Sequence, residues 1–292
     1  MTRAVVFGGG GPVGIGWETG LVVGLGGEGI WLGGADLVVG TSAGSVVGAQ
    51  VALGLDLAEN LATVASPLTV PVGSAAAESG METLLTAMAQ AAGGGTSAQQ
   101  ARVQLGQVAL AAPTVDEDLF ISVFAQVKGE DWPEGYVCTA VDVETGELRV
   151  WDKAAGVALD RAIASSCSVP GIFPPITIDG RRYMDGGMRT ALNSDIAVGH
   201  DAVIAISCFI LALPEGMSDP TFDALAAALE SEFEALRSSG SALEIIAPGE
   251  EFLEVSGWGF NLMDPTRTVA AYEAGVRQAA VEAERLRAIW SS

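Results

Sequence analysis

An α/β fold with a mostly parallel central sheet is what this chain predicts, and three observations predict it. Short apolar strands alternate with helix-length segments from the start of the sequence. Each of the first two strands runs into a glycine-bracketed turn that is followed by a helical pattern. Of 292 residues, 49% are apolar and only 17% are charged, which is enough for a sizeable core. No repeat and no linker divides the sequence, so a single domain over residues 1–292 is expected.

The elements follow in order. Ala4–Phe7 is the first strand and runs into Gly8-Gly9-Gly10-Gly11-Pro12-Val13-Gly14. Ile15 to Leu25, apolar and glycine-rich, predicts a tightly packed helix. Leu37–Val39 is the second strand and enters Gly40-Thr41-Ser42-Ala43-Gly44; a helix from Ala43 to about Leu53 follows. Residues 66–113 change character: Ala, Gly, Ser and Gln dominate, and Gly93-Gly94-Gly95 breaks the stretch. Met81 to Ala91 and Ala101 to Ala111 carry helical spacing. They predict two helices joined by a glycine hinge, read either as a mobile lid over an apolar acyl pocket or as a loosely ordered insertion. Tyr136–Val143 and Glu147–Trp151 read as a hairpin, and Leu159–Ser166 as a short helix ended by Val169-Pro170-Gly171. Ile176–Ile178 and Arg182–Met184 form a second hairpin that turns at Asp179-Gly180. Ala202 to Phe209 predicts a buried strand, Phe222 to Arg237 an amphipathic helix, and Leu243 to Ala247 another strand. The last helix takes Asp264 as N-cap and Pro265 at its first position, and runs to about Trp290.

Bulk properties exclude several classes. A formal charge of −22 argues against nucleic acid as a partner and against electrostatic docking on anionic lipid. The three cysteines, Cys138, Cys167 and Cys208, lie far apart, with neither metal-ligand spacing nor a disulfide framework. They predict buried free thiols in a reducing compartment. The chain enters a strand at once with no signal region, and its longest apolar run, Ala202 to Leu213, is too short to span a bilayer. A soluble, cytoplasmic protein is expected.

Two turns carry the chemistry. Gly40-Thr41-Ser42-Ala43-Gly44 is a G-x-S-x-G elbow, which holds a serine hydroxyl on a tight strand-to-helix turn. Ser42 is the candidate nucleophile, placed where a helix N-terminus favours a developing anion, and the N–H of Ala43 is the natural donor to it. The glycine loop offers further N–H groups unobstructed by side chains. Pro12 has none, which leaves Gly9, Gly10 and Gly11 as oxyanion donors. Gly9, Gly11 and Gly14 also satisfy the dinucleotide fingerprint. That reading wants an acid at the end of the second strand, but Asp36 stands before it and Gly40-Thr41-Ser42 occupies its end. The single histidine, His200, stands directly before the Ala202–Phe209 strand and reads as a surface or capping residue. The base therefore falls to a carboxylate. Asp185, at the end of a strand and followed by Gly186-Gly187, is the best placed.

These blocks together resemble the patatin-like phospholipase family. Gly9-Gly10-Gly11-Pro12-Val13-Gly14 is similar to its oxyanion loop, Gly40–Gly44 to its nucleophile elbow, and Asp185-Gly186-Gly187 to its aspartate block. The run from Ala164 to Pro175 resembles the segment that leads to that aspartate. The likeness spans roughly residues 4–195. It implies a three-layer α/β sandwich and a serine–aspartate dyad of Ser42 and Asp185 with no histidine. Gly9, Gly10, Gly11 and Ala43 would form the oxyanion hole, and no metal or organic cofactor would be needed. It implies hydrolysis of a lipid or fatty acyl ester through an acyl-enzyme, with transient contact at a membrane surface. Acyl transfer from the same serine and catalytically silent lipid binding are the alternatives. One departure stands out: Val13 occupies a position that is usually Arg or Lys in the family.

Overall fold

The computed structural model describes residues 1–64, 97–212 and 220–290. Its strands are β1 (Arg3–Phe7), β2 (Leu37–Gly40), β3 (Tyr136–Asp142), β4 (Leu148–Trp151), β5 (Ile176–Ile178), β6 (Arg181–Asp185), β7 (Ala202–Ile206) and β8 (Ala242–Ile246). The helices are α1 (Gly11–Gly27), α2 (Ala43–Leu53), α3 (Leu57–Val64), α4 (Ala98–Ala111), α5 (Glu117–Ile121), α6 (Leu159–Ser166), α7 (Pro220–Ser238), α8 (Glu250–Ser256) and α9 (Thr268–Trp290).

All eight strands join one sheet. Its centre is parallel: β2 and β7 flank β1, β3 pairs with β2, and β8 with β7. Alternation of side chains sorts the apolar residues onto two faces. Val5, Phe7, Val38, Ile204 and Ile206 join the larger cluster with Trp17 and Leu21 of α1, Val47 of α2 and Ala274 of α9. Ala4, Val6, Val39, Val203 and Ala205 face Leu229, Phe233 and Leu236 of α7. The result is the three-layer arrangement, with a core on each side of the sheet. α1 lies close enough to α9 that a Cβ on Gly20 would come within 2.0 Å of the Tyr272 carbonyl, which is why the predicted helix is so rich in glycine.

The far edge is antiparallel and determines how the site is assembled. Cys138 of β3 is flanked by Gly40 of β2 and by Trp151 of β4, while Ala140 is flanked by Asp185 of β6 and by Arg149 of β4. β4 therefore covers one edge of β3, and β2 and β6 share the other. They approach head-on, β2 ending opposite Cys138 and β6 opposite Ala140.

Most expected elements are present, with adjustments. β7 stops at Ile206, short of Phe209, because Ser207 turns the chain: its N–H donates to the Ile246 carbonyl and its hydroxyl accepts the Phe209 N–H. Asp264 caps a 3-10 turn, Pro265–Arg267, and α9 begins only at Thr268. Of the two helices expected in 66–113, Met81–Ala91 lies outside the described residues. The second begins earlier than expected, at a Ser97–Gln100 capping box, and is docked on the β3–β4 hairpin. The Arg102 guanidinium donates to the Gly146 carbonyl at 2.6 Å, and Gly106 sits against Val143. Cys138 and Cys208 are buried, but Cys167 is only half-buried. Among the described residues no helix is long and apolar enough to cross a membrane.

Candidate active site

The elbow is built by clearance. Ser42 has φ 52° and ψ −119°, a strained conformation for a residue with a side chain. A Cβ on Gly40 would lie 2.5 Å from the Ser45 Cα, and one on Gly44 would lie 2.2 Å from the Phe7 carbonyl oxygen. Neither position accepts a larger residue. The strain is held in place by several bonds. The Ser42 N–H donates to the Ser166 hydroxyl at 2.9 Å, and its carbonyl accepts from the Ser45 hydroxyl at 2.6 Å and the Cys167 thiol at 3.3 Å. The Gly44 N–H donates to the Gly8 carbonyl at 2.9 Å, which ties the elbow to the glycine loop.

That loop lies beside Ser42: a Cβ on Gly9 would stand 3.5 Å from the Ser42 Cβ. Its donors are not all free. The Gly9 N–H donates to the Ala191 carbonyl at 2.8 Å, so Gly9 is corrected from a donor to a fixed part of the loop. The Val13 N–H is taken by the Leu262 carbonyl at 3.2 Å. No acceptor among the described residues takes the N–H of Gly10, Gly11 or Ala43. Gly11, at φ 59°, adopts the left-handed conformation that turns the loop into α1. Val13 is fully buried in the larger apolar cluster, so no side-chain cation stands at that position.

Asp185 arrives from the other direction, at the end of β6, and is 2% exposed. One carboxylate oxygen accepts the Gly187 N–H at 2.7 Å. Burial pushes its pKa up from 3.8 to about 7, against the lowering effect of hydrogen bonds from the Ser42 side chain and the Gly187 N–H. The Ser42 hydroxyl, far away in sequence, is thus among the groups that the Asp185 carboxyl faces. A carboxylate with a pKa near neutrality is matched to taking a proton from a hydroxyl in the course of attack.

Behind these groups lies a buried polar knot for which the sequence carries no local signal. The Asn193 side-chain amide donates to the Thr41 hydroxyl at 3.1 Å, the Gly186 carbonyl at 3.3 Å and the Thr190 carbonyl at 3.0 Å. The Thr41 and Thr139 hydroxyls are 2.8 Å apart. Elbow, β3 and aspartate loop are therefore joined by one residue. Glu232 of α7 braces the same loop by accepting from the Ser194 N–H at 2.8 Å and from the Thr190 hydroxyl.

The rival residues are elsewhere. His200 precedes β7 at the sheet end opposite Ser42, with its Nδ1 3.0 Å from the Ala197 carbonyl. About 16 Å of strand separates the two sheet ends at the usual rise per residue. Asp36 is at that same distant end, where its carboxylate accepts the Arg3 N–H at 2.7 Å. A triad through His200 and a dinucleotide site through Asp36 are both excluded by this placement.

A search of solved structures finds VipD from Legionella pneumophila, at 14% identity and TM-score 0.47, aligned over 97% of this chain and 67% of that one. It also finds the type III effector protein ExoU, at 14% identity and TM-score 0.37, over 96% of this chain and 54% of that one. No curated protein sequence matches significantly. The family model described as patatin-like phospholipase matches residues 5–198, a span that holds the glycine loop, the elbow, both antiparallel hairpins and Asp185. With more than half its length inside that match, the chain belongs to the patatin-like phospholipase family.

Proposed function

We propose that the protein is a serine acyl hydrolase that cleaves carboxylic esters of lipids with Ser42 and Asp185 as its catalytic dyad. Family membership supports a lipid hydrolase. The observation that supports the dyad is a buried carboxyl, its pKa raised to about 7, that faces the hydroxyl of a strained elbow serine. In the first step the Ser42 hydroxyl oxygen bonds to the ester carbonyl carbon while its proton passes to the Asp185 carboxylate. The carbonyl oxygen takes the negative charge and faces the N–H groups of Gly10, Gly11 and Ala43. Collapse of this intermediate breaks the ester C–O bond, and Asp185 returns the proton to the leaving alkoxide. Water then attacks the acyl-enzyme. Asp185 takes its proton, the fatty acid leaves, and the proton returns to Ser42.

Intact-mass analysis after treatment with an alkyl fluorophosphonate tests the nucleophile, with a single adduct on Ser42 expected. Hydrolysis of p-nitrophenyl esters should fall by about 10⁴-fold or more in both Ser42→Ala and Asp185→Asn. An unlabelled wild-type protein, or an Asp185→Asn variant with near-normal turnover, would sink the proposal.

A further inference from the structure

A second buried carboxyl, unused by the dyad, lies directly beneath the glycine loop. Glu18, on α1, is 0% exposed. Its Oε1 accepts the Gly8 N–H at 3.0 Å, and its Oε2 has no hydrogen-bond partner. The groups that face it are that N–H and the Cys208 thiol, and no lysine or arginine among the described residues is among them. Cys208, just past the end of β7, fills the space a side chain on Gly10 would need, with its Sγ 2.5 Å from such a Cβ and 3.0 Å from one on Gly14. Acid and thiol therefore form the floor under the stretch of loop that carries the free N–H groups.

Three fixed N–H groups hold the loop: Gly8 to Glu18 and the Ile206 carbonyl, Gly9 to the Ala191 carbonyl, and Val13 to the Leu262 carbonyl. Glu18 supplies the one side-chain anchor of the three. An ionised carboxylate in this place would set an uncompensated negative charge under the donors meant for an oxyanion, where low dielectric makes like charge most costly. An uncharged acid holds Gly8 without that penalty. Burial pushes the Glu18 carboxyl well above the usual carboxylate range.

We propose that Glu18 is a positioning residue for the oxyanion donors: its side chain accepts the Gly8 N–H from below and pins the loop so that the Gly10 and Gly11 N–H groups face the ester carbonyl. This role rests on the hydrolase reading above. It lies beyond the dyad itself, because Glu18 touches neither Ser42 nor Asp185.

The test compares Glu18→Gln, a neutral isostere that keeps the acceptor, with Glu18→Met, which keeps the volume and loses it. Steady-state hydrolysis of p-nitrophenyl esters and the rate of Ser42 labelling by an alkyl fluorophosphonate are measured on folded protein. Glu18→Gln should retain kcat within about threefold. Glu18→Met should lose about 10- to 100-fold in kcat and in labelling rate with little change in KM, less than or equal to the loss for removing an oxyanion donor outright. A Glu18→Met variant that labels and turns over like wild type would overturn the role. So would a Glu18→Gln variant slowed more than about tenfold, a result that stays readable even where the Met variant fails to fold. Absence of labelling on Ser42 in the wild type would instead overturn the dyad, so the two failures are distinguishable.

Discussion

The arms that carry Ser42 and Asp185 are held ready by different kinds of stress. Ser42 stores its cost in the backbone, at φ 52° in a turn that two glycines make sterically possible. Asp185 has an ordinary backbone, φ −49° and ψ 132°, and stores its cost in electrostatics: a carboxyl only 2% exposed with its pKa raised to about 7. Backbone strain is insensitive to pH, whereas the electrostatic cost is felt only when the group ionises. One site thus combines a permanent strain with a conditional one.

The largest test separates the two by stability. Between pH 3.8 and about 7 the folded chain keeps a proton on Asp185 that the unfolded chain releases. This group's contribution to stability is therefore fully present below pH 3.8, falls as pH rises, and is lost above about pH 7. Asp185→Asn should raise the free energy of unfolding at pH 8, by an amount bounded at about 4 kcal/mol, with the difference vanishing near pH 4. A pH-independent gain would break the comparison. Next in size, Asn193→Ala removes the amide that ties both arms together. Thermal unfolding should show a loss of about 2 kcal/mol, and turnover should fall along with it. In rate, kcat/KM should drop about tenfold per pH unit below pH 7 and level off above it, as a base with that pKa requires. Ser42→Gly relieves the strained turn and should stabilise the inactive protein by about 1 kcal/mol at pH 5, and by less at pH 8, where ionised Asp185 loses the hydroxyl that favours its charge. His200→Asn should leave both turnover and melting temperature unchanged; an inactive but folded variant would return the histidine to the mechanism.

The same contrast explains what could be read from the sequence. Ser42 was legible because backbone strain leaves a local trace: glycines must flank the residue wherever a Cβ would strike Phe7 or Ser45. Asp185 was legible through the hairpin that carries it and the glycines after it, but its burial was not, since β3 and the elbow loop come from distant parts of the chain. Gly9 was misassigned for the same reason: the Ala191 carbonyl that takes its N–H lies far along the sequence. Asn193 and Thr139 look like any polar loop and strand residues. Glu18 did leave a signal, a lone acid on an otherwise apolar helix, and could have been singled out as a buried partner in need of a donor. Short α5 and α8 escaped because one or two turns carry too little periodicity to stand out.

If Ser42 and Asp185 act as the proposed dyad, the head-on meeting of β2 and β6 along one edge of β3 makes catalysis a proofreader of assembly. A slip of β6 by a single residue would move the carboxyl about 3.4 Å and turn it to the opposite face of the sheet. Such a chain would keep every reactive group and perform no chemistry. Under the proposed dyad, a chain whose later hairpin has yet to dock likewise presents a hydroxyl with nothing to receive its proton, and would spare lipids nearby until the whole edge is in register.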